Sequence, residues 1–523
     1  MPAAEHWDYV IAGGGTAGCV LARRLAERGA RVVLLEAGGR YPRWLLGAPL
    51  PSLRLARMFS WRYLTAPQPG LGGRRISLPL GRLLGGSSSI NAMMYCRGAA
   101  SDYDGWASQG NEGWSFAAVL PYFLRAETWT RGESPWRGRD GPLTVSGPRF
   151  LAPFSLAFVE ACRETGLPPN DDFNGQQLEG CGFFDVTQED GERVSAARHY
   201  LGAAPAGISV VTAALVNRVL FDGSRATGVE YRRGSQVHRA FASGEVILSA
   251  GAVNSPKLLM LSGIGPARDL RNLGIEARQD LVGVGANLHD HVRLPVLYES
   301  HQVSPGAHRH WITAALRYVI GRSGVMSSNC CEAGAFARSS PEEPEPDLQF
   351  VTHFQSSLHG RAVDLQCCLL KPESRGRVTL DSADPARPPR IDPNYLGSTA
   401  DVERLVRGVA MARRLARSKA LAGFGLGREI LPGATLRDAS ELAGYVRGSM
   451  ETCYHPAGTC RMGVDETAVV DARLRVHGCQ SLRVVDASVM PEPIRGNTLA
   501  PVVMIAEKAA DMILPPTYSS HHS

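Results

Sequence analysis

The stretch Tyr9 to Gly39, "YVIAGGGTAGCVLARRLAERGARVVLLEAGG", carries the strongest structural signal in the chain. An apolar run ends in glycines, an amphipathic helical pattern follows, and a second apolar run ends on an acid. Gly13, Gly15 and Gly18 form G-x-G-x-x-G, and Glu36 follows Gly18 by 18 residues. Gly13 permits a tight turn, Gly15 lets backbone approach a pyrophosphate, and Gly18 lets the helix pack closely on the strand. The helix opening at Thr16 and Ala17 presents its positive dipole end to that phosphate. Glu36 can accept from ribose hydroxyls, and an acid there disfavours a 2′-phosphate, which leaves NAD or FAD.

Further pieces read as additions to the same unit. "ISVVTAALVNRVLFDGSRATGVEYRR" gives strands with a turn at Asp222-Gly223, and "GEVILSAGAVNSPKLLMLSGIG" gives a buried strand, a turn and a helix. Between these and the C-terminus lies a region of different character, about residues 292 to 450. It holds the loop "SSPEEPEPD" and helical stretches such as "DVERLVRGVAMARRLARS" and reads as a second domain inserted into the first. No internal repeat is visible.

With 523 residues, 44% hydrophobic and 20% charged, the chain is long enough for two or more globular units with large cores. The net charge is +6, but 52 of the 56 basic residues are arginines scattered along the chain, so a nucleic-acid footprint is not expected. Only Lys257, Lys371, Lys419 and Lys508 could form a Schiff base. The eleven cysteines contain no C-x-x-C pair, which fits a reducing compartment. No secretory signal and no 18-residue apolar run are apparent, so a cytoplasmic protein without a membrane span is expected. The stretch "RWLLGAPLPSLRLARMFSWRYL" leaves room for peripheral contact at the inner membrane, although a buried or cap-facing loop is the plainer reading.

The stretch "GRLLGGSSSINAMMYCRG", Gly81 to Gly98, packs glycines and small hydroxyls ahead of an apolar helix start. Gly85 and Gly86 let backbone approach a ligand, while Ser87, Ser88 and Asn91 offer donors to phosphate or a polar ring edge. Taken alone, the serines read as a helix N-cap.

Six motifs together resemble one family. The Gly13 to Glu36 unit, "GRLLGGSSSINAM", "SAGAVNSPKLLMLSGIG", "VGANLHDH", "YHPAGTCRMG" and "LRVVDASVMPEPIRGNTLAPVVMIAEKAADMI" occur in the order found in the glucose-methanol-choline family of FAD-dependent oxidoreductases. The likeness runs from Tyr9 to Ile513 and is greatest to the bacterial alcohol dehydrogenase and choline dehydrogenase branch.

The resemblance implies an α/β fold, with a Rossmann-like FAD-binding domain and an inserted α+β substrate-binding domain built on an antiparallel sheet. The FAD-binding domain would comprise residues 1–150, 201–291 and 451–523, and the cap residues 151–200 and 292–450. It implies oxidation of a primary alcohol to an aldehyde, with His455 as base, Asn497 as its partner and hydride transfer to flavin N5. Imidazole titrates near neutrality and suits the proton step, provided the resting histidine is neutral.

Asp486 and Ala487 would approach the flavin or pyrophosphate, and Val216 the adenine. Gly86, Ser87, Asn91, Ala92, Met93 and Thr498 would complete the cofactor contacts, joined by Asn497. Some relatives tether FAD to a histidine just before the Asn of the glycine/serine motif; that position is Ile90 here, so noncovalent FAD is expected. No metal is expected. His289 and His291 have the i, i+2 spacing of a ligand pair, but no further ligands accompany them and the motif reads as a domain junction.

The substrate side is less determined. Glu332 occupies a place where similar enzymes carry a substrate-facing acid, as a quaternary ammonium alcohol such as choline would require, yet no aromatic cage is evident and a buried structural acid is an equal reading. His353 and Trp311 fall in the cap. The partners expected are a small alcohol and an electron acceptor, quinone-like or oxygen, with dehydrogenase favoured over oxidase; oligomeric state is not legible. The alternatives are a choline-type dehydrogenase, an FAD-containing lyase of hydroxynitrile-lyase type, a photodecarboxylase-like enzyme, whose relative lacks the histidine of "YHPAGTC", and a nicotinamide-dependent dehydrogenase resting on the Gly13 to Glu36 unit alone.

Overall fold

Val10, Ile11 and Ala12 are buried, and so are all residues from Val32 to Leu35. Consecutive rather than alternating apolar positions are what a strand covered on both faces requires. In the computed structural model, which describes residues 5–50, 55–202, 205–300, 302, 311–353 and 362–515, both runs are central strands of one sheet. Its order is Ile208–Thr212, Val32–Glu36, Glu5–Ala12, Gln236–Leu248, Arg225–Arg233 and Ala214–Asp222. The first four run parallel, and Leu482–Val484 adds in parallel beside the end of Gln236–Leu248. The antiparallel meander from Ala214 to Leu248 turns at Gly223, whose φ of +55° suits glycine.

The helix Thr16–Ala26 connects the first two strands, and the C-terminal helix Leu499–Ile513 packs against it. Glu507, fully buried, accepts from Arg24, Arg125 and Tyr200 and so ties the N- and C-terminal parts of the chain into one core.

A second sheet is antiparallel, in the order Leu426–Leu431, Leu297–Ser300, Ala362–Leu369, Leu348–His353, Ala333–Ala337 and Gly180–Phe183. Val292–Leu294 also pairs with Ala362–Leu369, and Glu451–Thr452 with Val292–Leu294. Period-two geometry divides the side chains of its central strands. Leu348, Phe350, Leu365, Cys367 and Leu369 share a core with Leu405, Val409 and Ala412 of the helix Thr399–Ala416. The alternate positions, Gln349, Val351, His353, Gln366 and Cys368, face a cavity instead.

The architecture is therefore mixed α/β, a Rossmann-like sheet beside an antiparallel sheet. Two local expectations change. No α-helix follows "GGSSS": the segment makes a single 3-10 turn, Gly86–Ser89, because Gly85 donates to Gly14 O at 2.7 Å and a Cβ on Gly86 would sit 2.8 Å from Gly15 Cα, so two glycine loops must touch. And Glu451–Thr452 joins the antiparallel sheet, placing its first strand pair across the boundary expected at 450/451.

Candidate active site

A cavity of about 510 Å³ is lined by both sheets. Gly13, Gly15, Thr16 and Ala17 line it where the first helix begins, and that helix has no acidic residue in its first turn to compete with an anion. Gly13 has φ +113°, and a Cβ there would overlap the Ser249 carbonyl. Gly18 alone of the three glycines does not line the cavity: it lies against the Gly13 carbonyl, filling the packing role read from the sequence. Glu36 accepts from Gly14 N at 2.9 Å and Gly38 N at 2.7 Å, one bond per oxygen, so each oxygen keeps capacity for a ligand hydroxyl. Burial raises the Glu36 pKa while these amides oppose the rise. Gly86, Ser87, Asn91, Ala92, Met93, Val216, Ala487 and Thr498 are also in the lining.

Asp486 reaches the same wall, but its carboxylate is taken. One oxygen accepts from Gly251 N at 2.8 Å and Ser255 Oγ at 2.5 Å, the other from Ser488 N at 2.8 Å and Ser488 Oγ at 2.6 Å. It fixes the loops around the cavity rather than offering free acceptors to it.

His455 and Asn497 come together from 42 residues apart, with Asn497 Nδ2 3.4 Å from His455 Nε2. The motif "LHDH" stands behind them. Asp290 accepts from His455 N at 2.8 Å and from the hydroxyls of Thr452 and Tyr395, which holds the histidine backbone; burial pushes the Asp290 pKa up to about 6. His291 Nδ1 lies 3.0 Å from His455 Nδ1, and its Nε2 lies 2.9 Å from Ile494 O.

These contacts assign the protons. A carbonyl only accepts, so His291 carries its proton on Nε2 and its Nδ1 is an acceptor; His455 must then donate from Nδ1, and its Nε2 bears the lone pair that Asn497 Nδ2 faces. Both rings are neutral. Burial drives the His455 pKa well below its ordinary 6.5, with the neighbouring His291 adding to the effect, and burial brings His291 down to about 4.

Four buried polar atoms of lining residues find no partner among the described residues: Ser249 Oγ, Asn497 Oδ1, Gln349 Nε2 and Arg293 Nε. Natural interiors rarely leave such groups orphaned, so a polar ligand is their expected partner. Ser249 Oγ and Asn497 Oδ1, together with the glycine cradle and the free capacity of Glu36, fit a dinucleotide cofactor running from Glu36 towards His455.

Of the substrate-side residues read from sequence, His353 lines the cavity, its pKa lowered to about 4 by burial and then by Arg293. Glu332 does not. It is fully buried, and its carboxylate accepts from Ala152 N, Ser155 Oγ and Ser328 Oγ, the bonding of a structural acid. Trp311 begins the helix Trp311–Gly321. Sequence reasoning missed Arg293, Gln349, Gln366, Cys331, Cys368 and Cys453, which complete the lining opposite the glycine loops.

Models of the GMC oxidoreductase family match residues 7–293 and 372–506. The chain is 43% identical to human mitochondrial choline dehydrogenase, over 97% of this chain and 90% of the relative. It is 42% identical to an alcohol dehydrogenase (acceptor) of Pseudomonas putida, over 97% and 96%. Among solved structures, pyridoxine 4-oxidase from Mesorbium loti is similar with a TM-score of 0.88 at 33% identity, covering 99% of this chain and all of the other.

Proposed function

The chain belongs to the GMC oxidoreductase family, as an FAD-dependent oxidoreductase acting on alcohol donors, and we propose that it oxidises a primary alcohol to an aldehyde with His455 as the base. The observation that carries this reading is the unprotonated Nε2 of His455, held in the cavity by His291 and Asp290 and faced by Asn497. A hydroxyl entering there donates to Nε2. Asn497 Nδ2 then donates to the oxygen as negative charge develops on it, without competing for the proton. FAD, when bound, accepts the hydride that leaves the carbon. Gly13, Gly15, Thr16 and Gly86 would hold its pyrophosphate, Glu36 its ribose and Val216 its adenine. Ile90 supports noncovalent attachment, so acid precipitation should leave the yellow flavin in the supernatant.

Anaerobic mixing with a panel of primary alcohols tests the reading. Bleaching of the flavin absorbance supports hydride transfer. Turnover of a substrate with the flavin still yellow would favour a lyase.

His291 acts through His455. In His291→Leu nothing accepts from Nδ1, the wrong tautomer becomes available, and kcat should fall about 10²-fold with KM little changed. His291→Asn keeps an acceptor and a donor on one side chain and should recover part of the loss; equal losses in the two variants would reduce His291 to a packing role.

A peripheral membrane contact fits the surface. Ile312, Leu316, Val319 and Ile320 form an exposed apolar stripe on the helix Trp311–Gly321. The shared partner Glu192 joins Arg322, just beyond that helix, to Arg43, beside Trp44, which is 85% exposed. Apolar side chains within an arginine rim match an anionic lipid surface, where quinone-like acceptors dissolve. Co-sedimentation with anionic vesicles, absent with zwitterionic ones and lost in Ile320→Glu, is the expected result. No helix among the described residues is long and apolar enough to cross a membrane.

A further inference from the structure

The sheet that closes the cavity opposite the glycine loops carries a row of three paired residues. Arg293 pairs with Cys368, and Cys368 with Gln349, on three neighbouring strands. Directly paired residues share a face, so all three look into the cavity, as its lining confirms. Arg293 and Gln349 thus flank Cys368 as two long donor side chains.

Both carry an unused donor. Glu451, which is exposed, takes Arg293 Nη2 at 2.6 Å from the solvent side, and the buried Nε has no partner. Gln349 is 4% exposed and its Nε2 has none.

Among the described residues, a free carboxylate for a cationic ligand is lacking. The carboxylates lining the cavity are Glu36, beside Gly14, and Asp486, whose oxygens are filled; Glu332 is turned into its own hydrogen bonds. Residues 301–310 and 354–361 contain no acid in their sequence. The two large aromatic rings of the lining, Tyr454 and Trp61, already face guanidinium groups, with Arg293 5.5 Å from the first centroid and Arg82 4.4 Å from the second. Among the described residues a quaternary ammonium group would find neither counter-ion nor free ring, and would meet Arg293.

On the alcohol-oxidation reading above, we infer that the preferred substrate is a hydroxy acid, whose carboxylate, remote from the reacting hydroxyl, is received by Arg293 and Gln349. A carboxylate offers two oxygens and up to four acceptor sites, matching a charged and a neutral donor side by side. Arg293 then selects the substrate's charge, while His455 handles its hydroxyl.

The holoenzyme should be compared on 5-hydroxypentanoate, 1-pentanol and choline. The expected order of kcat/KM is hydroxy acid over neutral alcohol by at least about tenfold, with choline last, which corresponds to about 1.4 kcal/mol or more between the first two. In Arg293→Gln, with FAD retained, the ratio of kcat/KM for the hydroxy acid to that for 1-pentanol should fall to about one. Perturbation of the flavin spectrum by pentanoate and by tetramethylammonium gives an equilibrium readout on the unaltered protein, and pentanoate should bind more tightly even if the variant does not fold.

Bleaching by all three alcohols at similar rates, or a preference for choline, overturns this inference and leaves alcohol oxidation standing. Bleaching by none overturns both. Tighter binding of tetramethylammonium than of pentanoate overturns the inference on its own.

Discussion

His455→Ala should retain FAD and lose about 10³-fold or more in the rate of anaerobic flavin bleaching by the best alcohol, within the range a positioned general base contributes. The reason lies in the tautomer. The Nδ1 proton is committed to His291 and the backbone to Asp290, so Nε2 is the basic atom presented to the cavity, and alanine supplies none. The glycine cradle, Glu36 and Val216 are untouched by the change, so the flavin spectrum should persist. The pH profile carries the same signature. Because burial depresses the His455 pKa below 6.5, the imidazole is neutral throughout the neutral range. The rate in the unaltered enzyme should therefore stay level as pH falls to 6.5 and drop only in more acidic solution, where Nε2 gains a proton. A half-maximal rate at or above pH 6.5 would exclude His455 as the base, as would normal bleaching by His455→Ala.

Gly18→Ala should give a colourless protein with a lowered Tm. A Cβ at this position falls within the van der Waals envelope of the Gly13 carbonyl oxygen, which is backbone and cannot rotate away. The helix Thr16–Ala26 must move off the strand Glu5–Ala12, and the turn between them is the glycine cradle. Overpacking against backbone costs about 3 kcal/mol, and displacing the helix N-terminus removes the donors and dipole that face the pyrophosphate. Flavin content per protein after gel filtration measures the first effect and calorimetry the second. Full flavin occupancy in Gly18→Ala would mean that the helix start does not hold the cofactor. Gly29, at the other end of the same helix with open space around its Cβ position, provides the contrast; Gly29→Asn should leave the colour intact.

The parts of this molecule that were legible in sequence are those whose meaning is local. Gly13 to Glu36 reads as strand, turn, helix and strand because the turn, the helix packing on its strand and the pairing of the two strands all arise within one short stretch. His455 and Asn497 were reached through resemblance, since nothing within "YHPAGTC" states which distant residue the imidazole meets. His291 was out of reach for the same reason: its partner is 164 residues away, and its i, i+2 spacing from His289 suggests a metal pair rather than a proton acceptor. The cavity's sheet wall was hidden by a different effect. Leu348–Val351 and Ala362–Leu369 are buried on both faces, one side by a helix core and the other by the cavity, so the alternation that marks a half-exposed strand is absent. Gln349, Asp364 and Gln366 were the polar interruptions, and their direction depends on register, which pairing alone fixes. At "GGSSS" the small residues suggested a helix cap, whereas the approach of Gly86 to Gly15 is a contact between two loops far apart in the chain.

The pocket takes its walls from Gly13, Val216, His455 and Asn497, and that wide spread has a consequence in time. A ribosome adding roughly 5–20 residues each second needs on the order of 25–100 s to travel from Gly18 to Asn497. For that interval the nascent chain exposes a dinucleotide cradle that lacks its far wall and the strand Leu482–Val484. Loading of the coenzyme thus belongs to the released polypeptide, and binding energy goes only to molecules that have been synthesised to the end.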